Sequence, residues 1–195
     1  MDKSLAKIRH DRSKKDFPEL RLEEDEYVEF AFKRAKICLF MILGGVMFGL
    51  IVILLAFLIV LMSQSKIDEM GQNFLFIILV ALLASAIIIG FVAITIYKGN
   101  KLFITNKRAI QMIMTSIVSN SVNVIDLVSV EDASFRQDTI LQNLFHYGTF
   151  RLSTVGEETT YTFKYSDISG EQLKEVTDLI SNAKKRGRKK KETEE

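Results

Sequence analysis

Residues 37–62 read ICLFMILGGVMFGLIVILLAFLIVLM, a run of 26 positions with no polar side chain. Coiled as a helix at ~1.5 Å per residue, the run is about 39 Å long, more than the ~30 Å hydrocarbon core of a bilayer. A helix buried in a water-soluble core keeps a polar stripe on its outer face. This run has none, so the sequence predicts a membrane-spanning helix that crosses with some tilt. Thirty-six residues precede it, its apolar stretch is long, and no Ala-x-Ala-like site follows. It therefore reads as a span rather than a cleaved leader.

A second apolar run, Phe74 to Ile94, is broken only by Ser85, whose hydroxyl can bond back to its own helix. The second span is expected over 73–97. Between the spans lie ten residues, 63–72, with Lys66 set against Asp68 and Glu69. So short a link makes the pair an antiparallel hairpin. Lys33, Arg34 and Lys36 precede the first helix, and Lys98, Lys101, Lys107 and Arg108 follow the second. The excess of basic residues on these flanks places both termini in the cytoplasm and the link outside.

Small residues mark the helices for close approach: Gly45-x-x-x-Gly49 in the first, Ala81-x-x-x-Ser85 and Ala86-x-x-x-Gly90 in the second. The preferred reading is that Gly45, Gly49, Ala86 and Gly90 pack the hairpin on itself; the other is that they mediate oligomerisation. Neither span contains an ionisable residue, which argues against a proton relay or a carrier site. Cys38, at the inner membrane edge, reads as a buried inert thiol rather than a lipidation site.

Outside the hairpin the charge falls in blocks. Residues 1–15 carry six basic and two acidic groups, and residues 16–32 carry one basic and seven acidic. The first block reads as a mobile tail. The second, with Leu22, Tyr27, Val28, Phe30 and Phe32 among its acids, reads as a short helix at the membrane face or against the later domain, or as a solvated linker. Residues 1–36 are thus expected as an N-terminal tail and juxtamembrane segment.

Residues 98–183 differ in texture. Tyr161, Phe163 and Tyr165 alternate with polar neighbours, as do Phe150 and Leu152; Ile110, Met112 and Met114 form one face, and Val122, Val124, Val128 and Val130 continue the pattern. A period of two with β-branched and aromatic residues predicts six or seven antiparallel strands. Turn signals stand at Asn106-Lys107, Ser119-Asn120 and Gly156-Glu157, and Thr139 to Phe145 reads as one helical turn within the sheet. Ser169-x-x-Gln172 fits a capping box, and Leu173, Val176, Ile180 and Ala183 recur on one face of the helix that follows.

The whole chain has 26 basic and 24 acidic side chains, 48% hydrophobic residues and one cysteine. That excludes wholesale disorder, a disulfide framework and a cysteine zinc site. The formal charge of +2 hides a net −2 on 98–183 and a polybasic tail, 184–195, in which Lys184, Lys185, Arg186, Arg188, Lys189, Lys190 and Lys191 crowd eight positions. The tail suits the anionic inner leaflet best, at ~1 kcal/mol per charge, with a solvated tail after the last helix as the second reading. Without interleaved aromatics, nucleic acid is disfavoured as its partner.

Catalytic signals are weak. His146 has no nucleophile or carboxylate at a diagnostic spacing and reads as a turn residue. Glu131-Asp132 and Glu157-Glu158 are adjacent pairs, which on a strand point to opposite faces. No phosphate-binding loop, dinucleotide fingerprint, zinc-protease motif or nucleophile elbow is present. The chain is therefore read as a non-enzyme with no cofactor and no metal.

Three segments resemble one family. Leu102-Phe-Ile-Thr-Asn-Lys-Arg-Ala-Ile110 resembles the opening strand pair of the bacterial pleckstrin-homology (PH) domains of YdbS-like membrane proteins. Val124-Ile-Asp-Leu-Val-Ser-Val130 is similar to a later strand, with Asp126 where proline is usual. Leu141-Gln-Asn-Leu-Phe-His-Tyr-Gly-Thr-Phe150 looks like a family turn, with Asn143 in place of a frequent arginine and His146 in place of glycine. The resemblance covers about residues 20–183. It implies an α+β fold: a two-helix transmembrane hairpin followed by a PH-like β-sandwich, or partly open barrel, capped by a C-terminal helix. It also implies the bacterial cytoplasmic membrane as location.

The expected function is a membrane-anchored, non-enzymatic binding or scaffolding module at the cytoplasmic face, with the bilayer and a membrane protein as partners. Lys98, Lys101, Lys107 and Arg108 are the candidate contacts for an anionic lipid headgroup. The alternative is a subunit of a homo-oligomeric membrane pore; a membrane-lipid hydrolase is disfavoured because the reacting groups are missing.

Overall fold

The computed structural model describes residues 3–63, 69–154 and 160–194. Helix α1 (Lys3–Asp16) leads to strand β1 (Val28–Lys33). Two long helices follow, α2 (Lys36–Ser63) and α3 (Glu69–Gly99). Then come β2 (Lys101–Thr105), β3 (Arg108–Met114), β4 (Asn120–Asp126), β5 (Val130–Arg136), the short α4 (Ile140–Leu144), β6 (Gly148–Thr154), β7 (Thr160–Ser166) and α5 (Gly170–Glu194). The class is α+β: two long apolar helices, two antiparallel sheets and a C-terminal helix.

The apolar helices pack against each other as a hairpin. At ~1.5 Å per residue they are about 42 and 46 Å long. Both are long and apolar enough to cross a membrane, and none of their most apolar windows is buried inside the structure. Phe48, Ile59, Phe76, Ile87 and Phe91 lie on the outside. The second helix starts at Glu69, earlier than the expected 73, because Glu69-Met70-Gly71-Gln72 continue the helical backbone without a breaker. The expected 63–72 link is shortened accordingly, and 64–68, with Lys66 and Asp68, lie outside the described residues.

The sheets run β1-β2-β3-β4 and β5-β6-β7, all neighbours antiparallel. Strand β1 is the main departure from the sequence reading. Residues 28–33 are neither tail nor linker: β1 pairs with β2, Phe32 opposite Leu102 and Lys33 opposite Lys101. Only two residues separate β1 from α2, and only Asn100 separates α3 from β2. The hairpin is thus the connection between two neighbouring strands, and the folded unit draws on both sides of it rather than on 98–183 alone. Phe30 and Phe32 alternate along the strand, and Phe32 fills the core beside Phe150, ring centroids 6.2 Å apart.

Phe32, Leu102, Ile104, Leu127, Val130, Phe150, Leu152 and Phe163 fill the space between the sheets, closed by Val176, Ile180 and Ala183 of α5. The expected capping box starts this helix: Gln172 N–H donates to Ser169 Oγ at 3.2 Å, and Ser169 N–H to Gln172 Oε1 at 3.0 Å. The expected turn at 139–145 is α4, capped by Thr139. Strand β3 is buried on both faces at Ala109, Ile110 and Gln111. Gln111 points between the sheets and donates to the Thr162 carbonyl at 2.8 Å. Ile110 lies on the outer face with Phe103 and Leu20, where Phe17 and Leu22 of the N-terminal segment cover them. Val122 and Val124, half exposed, stand on that outer face, whereas Ile125 turns into the core.

The unit has two distinct ends. At the hairpin end, Arg34 bridges to Ser166 and the Ala35 N–H donates to the Tyr165 carbonyl. At the far end lies the β2–β3 turn, where Leu127 N–H donates to the Lys107 carbonyl. The α5 helix begins just after β7 at the hairpin end and runs to the far end, where Gly187 faces the Val128 side chain.

Candidate functional site

The four proposed headgroup residues fall into two separated places. Lys107 and Arg108 sit at the far end and are occupied by the N-terminal segment. Arg108 donates through Nε to Glu26 Oε1 and through Nη2 to Glu26 Oε2, both at 2.8 Å, and through Nη2 to the Arg21 carbonyl. Glu26 is fully buried. It also accepts from the Thr105 hydroxyl at 2.8 Å and from the Glu23 N–H at 2.8 Å. Burial alone would push the Glu26 carboxyl up; the Arg108 guanidinium, the Glu23 N–H and the Thr105 hydroxyl outweigh it and hold the group below the ordinary carboxylate value. The same bond to Glu26 raises Arg108. Lys107 reaches Glu23 at 3.4 Å and the Glu24 carbonyl at 2.9 Å. These two cations hold the N-terminal segment in place.

Asn106 completes this clasp by exchanging bonds with Tyr27: its side chain accepts from the Tyr27 N–H, and its own N–H donates to the Tyr27 carbonyl, both at 3.1 Å. Ser13 Oγ of α1 accepts from the Val28 N–H at 3.0 Å. Residues 3–16 are therefore a docked helix, not the expected tail.

Lys98 and Lys101 lie at the hairpin end, and here the structure assembles a basic cavity. Lys33, Arg34, Tyr97, Lys98, Asn100 and Lys101 line a space of about 320 Å³ where α2 and α3 leave the sheet. Asn100, 3% exposed, ties the junction together. Its Nδ2 donates to the carbonyls of Ile96 and Met114, and its Oδ1 accepts from Arg34 Nη2 at 3.2 Å. The Tyr97 hydroxyl donates to the Arg34 carbonyl at 2.9 Å. The Arg34 guanidinium lies over the Tyr165 ring at 5.9 Å, and its buried Nε has no hydrogen-bond partner among the described residues. Lys101 is offset by Glu19 at 2.6 Å, and that bond holds the Glu19 carboxyl below its ordinary value. Lys33 and Lys98 are exposed. The set can attract and hold an anion.

The polybasic stretch is also placed differently from the expectation. It is not a loose tail. The α5 helix continues through it to Glu194, because Lys and Arg are good helix formers with no breaker but Gly187. Lys184 donates to the Glu131 carbonyl at 3.0 Å, and Gly187 meets Val128. Lys184, Lys185, Arg186, Arg188 and Lys189 thus extend from the far end of the unit, away from the hairpin; the side chains of Lys190 and Lys191 lie outside the described residues.

The small residues do not hold the hairpin together as expected. A Cβ added at Gly45, Gly49 or Gly90 would meet nothing within 4 Å. Ala86 is partly buried. The helices approach instead near Ile53, Phe57, Leu75 and Leu82, around an apolar gap of about 220 Å³. Cys38 is buried. His146 is exposed with a φ of 53°, the left-handed turn conformation. Among the described residues no three His, Cys, Asp or Glu side chains are grouped to hold a metal ion. Glu157 and Glu158 lie outside the described residues.

Glu26, Arg34 and Asn100 are the residues that sequence reasoning missed. The signal for the first was the alternation Tyr27-Val-Glu-Phe-Ala-Phe32, a strand period that puts its neighbours in a sheet. No family model, curated protein or solved structure matches the chain.

Proposed function

We propose that the protein is a two-span membrane protein whose folded unit is a non-enzymatic binding or scaffolding module held at the membrane face, in the manner of a PH domain. One observation carries the reading: the apolar hairpin, unburied along both helices, is spliced between neighbouring strands β1 and β2. Helices of this composition expose far more apolar surface than water tolerates. Because their outer ends are paired in one sheet, the chain must return to the side it left. The four-plus-three sheet arrangement with a C-terminal helix supports the PH-like comparison. The basic flanks, Lys33, Arg34, Lys36, Lys98 and Lys101, favour the cytoplasmic side. Confinement to the surface raises the module's effective concentration for membrane-bound partners.

Digestion of sealed vesicles from each side tests the topology. The expected result is that the folded unit and both termini are cut from one face only, while a hairpin fragment stays in the membrane. Release of the intact protein by alkaline extraction, or termini on opposite faces, overturns it. In-cell crosslinking from the folded unit tests the scaffolding role; enrichment of no membrane protein counts against it.

A second reading, the subunit of an oligomeric pore, draws on the open Gly45 and Gly49 face, against which another helix can pack closely. Native mass measured in nanodiscs separates the two: a stable monomer removes the pore.

A further inference from the structure

We infer that two apolar loops at the hairpin end enter the same bilayer that the hairpin crosses, so that the folded unit is seated on the membrane at three points. The inference rests on the two-span reading.

The first loop is the β3–β4 turn. Strands β3 and β4 continue past the last β2–β3 pair, Lys101 with Met112, for two further pairs, Ile113 with Ser121 and Met114 with Asn120. The turn therefore projects beyond the level at which α3 enters the sheet, with Met114 lying against Gly99 at the end of that helix. Its tip presents Ile117, 53% exposed, and Val118, 96% exposed.

The second loop joins β5 to β6. Arg136 pairs with Thr149 and Gly148 with Ser166, and Ser166 bridges to Arg34 at the start of α2. The loop is therefore at the hairpin end too. It is shaped as the single turn α4, fixed by the Thr139–Gln142 capping box. This turn buries none of its residues and exposes Ile140 (86%), Leu141, Leu144 and Phe145.

The two loops have no sequence relation, yet both carry large apolar tips and both lie beside the emerging hairpin. The occupant that fits them is the bilayer interface. It is continuous with the apolar surface of α2 and α3, and the cations of Lys33, Arg34 and Lys98 stand where anionic headgroups would lie. Short apolar faces flanked by basic residues bury at the boundary of headgroup and acyl chain.

The chain has no tryptophan, so one introduced indole reports its own depth. Four single variants of the full chain are compared in vesicles with acyl chains brominated close to the headgroups and, separately, near the bilayer centre: Val118→Trp, Leu144→Trp, Phe48→Trp in α2, and Glu24→Trp at the far end. Phe145→Trp serves as a conservative second probe of α4. The expected result is blue-shifted emission and quenching by the shallow bromines at 118 and 144, quenching within the bilayer at 48, and neither at 24. If 48 is quenched but 118 or 144 behaves like 24, with 145 agreeing for α4, the seating inference fails while the two-span reading stands. If 48 is not quenched by either lipid, the two-span reading fails and the inference with it.

Discussion

Arg108 and Glu26 lie 82 positions apart and meet in a two-point ion pair with both bonds at 2.8 Å. The carboxylate is fully buried and the guanidinium side chain is 18% exposed. The pair fastens the segment before the hairpin to the strand turn after it. Removing one partner leaves a buried charge uncompensated. Arg108→Met is expected to destabilise the unit by about 3 kcal/mol, and the double variant Arg108→Met/Glu26→Leu by less. Thermal unfolding in nanodiscs, followed by protease release of residues 1–27, measures both.

Glu26 also gives a pH dependence with a definite sign. Its carboxyl is held below the ordinary value of 4.5, so ionised Glu26 favours the folded state. That contribution is complete above about pH 4.5 and is lost as pH falls through the depressed folded value. Unfolding followed from pH 6 downward should show a steeper loss in the wild type than in Glu26→Gln. Equal slopes would remove Glu26 as the source.

Asn100 holds three partners at the foot of the hairpin. Asn100→Ala unpairs the Ile96 and Met114 carbonyls and releases Arg34. The expected cost is about 1–3 kcal/mol, concentrated at the junction. Hydrogen exchange should quicken at Lys101–Phe103 and Ile113–Met114 and remain unchanged in β5.

Two glycines should respond oppositely to alanine. At Gly148 a Cβ would press on the Arg136 carbonyl and on the Phe135 ring, 2.8 Å away. Gly148→Ala is expected to cost about 1–3 kcal/mol by overpacking. At Gly170 a Cβ meets nothing within 4 Å at the start of α5, and Gly170→Ala should leave the unfolding midpoint unchanged or slightly raised.

The parts of the fold visible in the sequence are those governed by one-dimensional periodicity. The hairpin followed from two uninterrupted apolar runs, β6 from Phe150 and Leu152 beside Arg151, and α5 from Ser169, Gln172 and the Val176–Ile180–Ala183 face. What stayed hidden depended on pairing over distance. Nothing local distinguishes buried Glu26 from exposed Glu24, since the difference is Arg108 arriving from across the hairpin. Lys101 and Lys107 look alike in sequence, yet the five residues of β2 carry them to opposite ends of the sheet. The polybasic stretch was legible as charge but not as direction, because only the docking of α5 against Val128 fixes where it points.

The splice of the hairpin between β1 and β2 also sets an order of events. As the chain emerges during synthesis, Arg34 is made 66 positions before the Asn100 to which it bonds. Strand β1 must wait, unpaired, while both apolar helices are delivered. Closing so long a loop from a random chain is entropically costly; two helices packed side by side bring its ends together in advance. Completion of the sheet therefore waits on both helices standing side by side. A chain in which either helix is displaced leaves the β2 edge without β1, and the sheet stays open along Lys101–Thr105.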